Sequence, residues 1–100
     1  MNIIKQINLY REVKDYVIKN PQDVKMWAKM YPSYGEIDTS YEVKLNNLSL
    51  RSSKESGALG TKEYSVSVTN QNNDTDCFFE PIAIFVYRML QQTYNKQNKR

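Results

Sequence analysis

Apolar residues in the first twenty positions recur at steps of three and four. Ile3, Ile7, Tyr10, Val13 and Val17 form one stripe, widened by Ile4 and Ile18, which predicts a helix from about Asn2 to Lys19. Pro21 disfavours the helical conformation in Asn20, so the helix is expected to stop there. Asn20, Pro21 and Asp23 then supply a cap, a permitted first-turn proline and an anion at the positive end of a helix. Val24, Trp27, Ala28 and Tyr31 follow at i, i+3, i+4 and i+7, so the pattern predicts a second helix over 21–31 with Trp27 facing the core. Pro32 ends it, and SYGEIDTS reads as a loop.

From Tyr41 the period changes to two. Tyr41, Val43 and Leu45 alternate with Glu42 and Lys44, which predicts a half-buried strand over 41–45. Leu48 and Leu50 resume the alternation with opposite parity, predicting a strand over 48–51. Asn46-Asn47 is either a tight hairpin turn pairing Leu45 with Leu48 or a bulge in one long strand, and the spacing favours the hairpin. RSSKESGALG is a polar loop, Tyr64, Val66 and Val68 mark a strand over 62–69, and NQNNDTD is a second loop. Behind Pro81, the positions Ile82, Phe85, Val86, Met89, Leu90 and Thr93 carry a helix over 81–96, followed by a basic tail at 97–100. The expected fold is a single α+β domain over 1–100. It has two amino-terminal helices, a small antiparallel sheet of two or three strands and a carboxy-terminal core helix, in the order α-α-β-β-β-α.

Composition narrows the classes. With 40% hydrophobic and 12% aromatic residues in 100, one compact core can form and wholesale disorder is not expected. A net charge of +3 from 14 basic and 11 acidic residues is too small for a strongly phosphate-seeking surface and has the wrong sign for mimicry of nucleic acid. The single cysteine, Cys77, excludes an internal disulfide and fits a reducing compartment; beside Phe78 and Phe79 it is expected to pack as a small hydrophobe. The longest apolar run, Ile82 to Tyr87, is far too short to span a bilayer, and no signal-like apolar stretch opens the chain. A cytoplasmic protein without membrane contact is the expectation.

Catalytic equipment is sparse. Histidine is absent, which removes the commonest general base and metal ligand and leaves Cys77 without an activating partner. Gly57 to Lys62 has neither the length nor the order of a phosphate-cradling loop, and Ser52, Ser53 and Ser56 beside Lys54 lack an oxyanion-binding frame. The stretch Asn72 to Asp76 looks superficially like a calcium loop, but it has neither the central glycine nor the terminal bidentate glutamate. No enzyme activity, cofactor or metal is expected.

Binding remains. KMWAKMYPSY concentrates Trp, Tyr and Met, residue types that dominate protein interfaces. The expected partner-binding residues are Lys25, Met26, Lys29, Met30, Tyr34 and Lys54. The alternative is a nucleic-acid-binding protein using Lys14, Lys19, Lys25, Lys29, Lys96, Lys99 and Arg100. A homodimer is a further possibility, through a strand edge near Leu48 to Arg51 or Tyr64 to Val68. Asn, Lys, Tyr and Ile together make up 35 of the 100 residues, a usage typical of AT-rich genes. In that style the chain resembles the small accessory proteins of phages and mobile elements. The resemblance implies stoichiometric inhibition of a host enzyme or defence nuclease, as anti-CRISPR proteins do.

Overall fold

The computed structural model describes residues 1–31, 36–56 and 62–98, without the side chains of 29–31, 36, 37 and 56. The protein is α+β, with helix α1 (Ile3–Lys19), a single 3₁₀ turn (Pro21–Asp23), strands β1 (Lys25–Tyr31), β2 (Glu36–Leu45), β3 (Leu48–Ser56), β4 (Lys62–Thr69) and β5 (Thr75–Cys77), and helix α2 (Glu80–Gln97). The five strands form one antiparallel meander in chain order.

Two of the three expected helix starts are present, and both have local causes. The Asn2 side chain accepts a hydrogen bond from the Lys5 N–H at 2.8 Å and caps α1. Pro81 sits in the first turn of α2, where its missing N–H costs nothing. The hairpin at Asn46-Asn47 is also as the spacing suggests, with Leu45 opposite Leu48 and Val43 opposite Leu50. Asn46 turns the chain at φ 54°, a left-handed conformation that asparagine tolerates.

The second helix over 21–31 is corrected. Only Pro21–Asp23 is helical, and Lys25–Tyr31 is an edge strand paired along its whole length with Glu36–Glu42. A short isolated helix is marginal in water, whereas this segment meets a ten-residue strand whose backbone groups need partners. The Tyr16 hydroxyl, donating to the Asp23 carboxylate, ties the turn to α1. The expected sheet was also too small. β2 begins at Glu36, five residues earlier than the alternation indicated, β3 runs on to Ser56, and Thr75–Cys77, from the end of the expected loop to the residue after it, forms β5. These additions are polar strands that no hydrophobic period marks. The Asn72 to Asp76 stretch belongs to the turn before and into β5, where the Asn70 side chain accepts hydrogen bonds from the Asn72 and Asp74 N–H groups.

Both helices cover one face of the sheet. α2 lays Ala83, Val86, Tyr87 and Leu90 on Tyr41, Val43, Leu50, Val66 and Val68, and α1 adds Val13 and Val17 to the same core. Full burial of a side chain such as Leu50 or Leu90 contributes about 2–3 kcal/mol. The two helices run in the same direction. Near their amino ends the Phe79 N–H donates to the Gln6 side chain at 2.9 Å, and near their carboxyl ends Val17 and Ile18 share a cleft with Thr93 and Lys96. Five stripe residues depart from expectation: Ile3, Ile4, Ile7, Ile18 and Phe85 are exposed, while the polar Gln6 is buried. Cys77 is exposed as well, because three-residue β5 lies at the sheet edge rather than beneath a helix.

Candidate interaction surface

Among the described residues, no element covers the opposite face of the sheet. Strand alternation sends Lys25 and Trp27 of β1, Asp38, Ser40, Glu42 and Lys44 of β2, and Ser49, Arg51, Ser53 and Glu55 of β3 to that face, with Glu63, Ser65 and Ser67 of β4 beside them. Two cross-strand rows organise it. One runs Trp27, Ser40, Ser53, Ser65; the next runs Lys25, Glu42, Arg51, Ser67, Cys77.

Trp27 is therefore not a core residue. It is 45% exposed, and the Arg51 guanidinium carbon lies 5.6 Å from its ring centroid. That contact spans β2, and it is possible because the intervening residue, Ser40, is small. The Ser40 and Ser53 hydroxyls are hydrogen-bonded at 3.0 Å. Trp27, Ala28, Asp38, Ser40, Arg51, Ser53 and Glu55 line an open groove of about 470 Å³. Its chemistry is an aromatic wall, one guanidinium, two carboxylates and a floor of hydroxyls. This set can stack, donate and accept hydrogen bonds, but it holds no activated nucleophile. Among the described residues, no group of three or more potential metal ligands is brought together.

Of the residues expected to bind a partner, Lys25 is exposed at the start of β1, in a second groove with Gln22, Asp23, Glu42 and Lys44. Met26 points the other way and is half-buried against the core. Lys29 and Met30 lie in β1 opposite Asp38 and Ile37, with their side chains outside the described residues. Tyr34 lies wholly outside them, as does part of the Ser52–Gly60 segment. Lys54 sits on the helix side of the sheet, between Thr39 and Tyr64, and is half-buried.

The basic residues of the alternative reading are divided. Lys14 and Lys19 are exposed on α1 and Lys96 on α2, while Lys25 lies on the open sheet face; Lys99 and Arg100 are outside the described residues. The two edges named for a homodimer are not free along their length. β3 pairs with β2 and β4 on either side, and β4 is covered by β5 from Ser67 to Thr69. β1 is instead a full-length edge, with β2 its only strand neighbour among the described residues.

Sequence periodicity missed the groove: it placed Trp27 in the core and put none of Asp38, Ser40, Arg51, Ser53 and Glu55 on a binding surface. A clue was present in Val24 and Met26, which alternate with Lys25 and Trp27; that period of two competes with the helical spacing over the same residues. No protein-family model, curated protein or solved structure matches the chain.

Proposed function

We propose that this protein is a non-enzymatic interaction module that grips a protein partner with the open face of its sheet. The observation that carries this reading is the half-exposed Trp27 under Arg51, set in a groove on an otherwise hydroxyl-rich face. Trp and Arg are the side chains most enriched among residues that dominate binding energy. Lys25 flanks the groove on the same face, and β1 adds a strand edge that is unpaired among the described residues and suited to main-chain recognition. Inhibition of a host enzyme by occupying its surface is the specific form we favour, since the groove brings recognition chemistry without catalytic groups.

Nucleic-acid binding through this face is less well supported. Asp38, Glu42, Glu55 and Glu63 share the face with Lys25, Lys44 and Arg51, so phosphates meet carboxylates there.

The test uses the immobilised protein and its Trp27→Ala variant as baits for host lysate. A partner retained by the wild type should bind Trp27→Ala roughly 30-fold more weakly, the effect of losing an interface anchor of about 2 kcal/mol. Retention of the same partner by both baits would refute the assignment. Gel shifts with single- and double-stranded DNA across salt concentrations examine the alternative, which predicts binding that weakens steeply with salt.

A further inference from the structure

The side of the molecule away from the groove has a different character. Of the eight large hydrophobic side chains exposed among the described residues, all but Trp27 lie on α1, α2 or the residues that lead into them. Ile4 is 71% exposed, Ile18 66% and Phe85 61%. At 100° per residue, Ile3, Ile4, Ile7 and Ile18 fall with Arg11 and Lys14 in one sector of α1 about 100° wide. No acid falls in that sector; Asp15 and Glu12 lie beyond its border. The exposed side of α2 adds one such residue, Phe85, in the same sector as Arg88 and Lys96. The α1 strip is about 22 Å long, the rise from Ile3 to Ile18, and Ile18 at its carboxyl end shares a cleft with Lys96 of α2.

Charge divides the same way. Residues 1–20 and 79–98 contain six basic and three acidic side chains, whereas residues 21–78 contain six and eight. The protein's modest net charge thus conceals a basic, aliphatic helical layer backed by a mildly acidic sheet.

We infer that the outer face of the helical layer docks on an anionic lipid surface. Isoleucines interspersed with lysine and arginine suit a boundary where acyl chains and phosphates lie within one side-chain length of each other. Other occupants fit less well. A second copy related by two-fold symmetry would bring cations against cations. A protein partner is better served by a Trp anchor beside an Arg, which the sheet face has in Trp27 and Arg51 and this face lacks. Nucleic acid would leave four isoleucines against phosphate. Docking here needs no membrane-spanning helix, and no described helix is long and apolar enough to be one. It is also independent of the sheet-face reading, since Trp27 points away from this layer.

The test is co-sedimentation of the intact chain with vesicles of phosphatidylcholine alone, or with about one third phosphatidylglycerol. The expected result is pelleting with the anionic vesicles only, decreasing as salt is raised. Lys14→Gln should weaken binding about fivefold. Ile7→Ser combined with Phe85→Ser should weaken it more than tenfold, and both sites are exposed, so circular dichroism should report an unchanged fold. Trp27→Ala should pellet like the wild type. Failure to pellet with anionic vesicles, equal pelleting with neutral ones, or binding insensitive to the Ile7 and Phe85 substitutions would overturn the inference. So would perturbation of α1 amide resonances by a soluble Leu/Glu helical peptide in the absence of vesicle binding, which would assign the face to an acidic protein.

Discussion

Alkaline pH should destabilise this protein through one buried tyrosine. Tyr41 is 3% exposed on β2, with the Tyr87 ring edge-on at a centroid distance of 5.3 Å and the Tyr94 ring at 5.8 Å. Burial, reinforced by the neighbouring Tyr87 and Tyr94 hydroxyls, pushes its pKa from 10.0 up to about 12. The folded protein therefore keeps this proton where the unfolded chain has released it. The stabilisation is complete below the unfolded value and is lost as pH rises toward the folded one. Two pKa units correspond to about 2.7 kcal/mol, a large share of the roughly 5–15 kcal/mol that holds a domain of this size together. Tyr87, also raised by burial, acts in the same direction. Urea unfolding followed by far-UV circular dichroism from about pH 9 to pH 12 should show the loss, and tyrosinate absorbance should show Tyr41 titrating only as the protein unfolds. Tyr41→Phe keeps the ring packing but removes the proton, so its stability should fall less over the same range. An equal fall in wild type and Tyr41→Phe, or a folded protein whose tyrosines all ionise near their ordinary value, would refute the reasoning.

Two further substitutions probe the polar groups inside the core. The Ser52 hydroxyl is fully buried between Tyr41 and Val66 and has no hydrogen-bond partner among the described residues, so Ser52→Ala should be neutral or stabilising by up to about 1 kcal/mol in denaturant titrations; a loss above about 1 kcal/mol would show a partner is present. Gln6 accepts from the Phe79 N–H at 2.9 Å and donates to the Met1 carbonyl at 3.0 Å, so Gln6→Leu should cost about 1–3 kcal/mol and lower the melting temperature, while an unchanged midpoint would show that water replaces the side chain.

The sequence by itself determined the elements whose side chains carry a full period. α1, α2, the Asn46-Asn47 hairpin and the Tyr64 to Val68 strand were legible because each buries one regular face, and local signals from Asn2, Asn46 and Pro81 agree with that pattern. Missing histidine and the mild net charge likewise limited the chemistry available before any fold was known.

Tertiary structure decided the rest. Lys25 to Tyr31 satisfies a helical spacing and a strand alternation almost equally, and β2, a partner distant in sequence along most of its length, resolves the choice. That decision moves Trp27 from the expected core to the exposed face and brings it to Arg51, twenty-four positions along the chain, across the small Ser40. The apolar stripe of α1 was equally incomplete as a guide to burial. A helix lying at the edge of a two-layer core covers only Gln6, Val13 and Val17, leaving Ile3 and Ile7 to solvent. Periodicity names the residues able to share a face, but only packing against other elements determines which faces are covered and which remain for a partner.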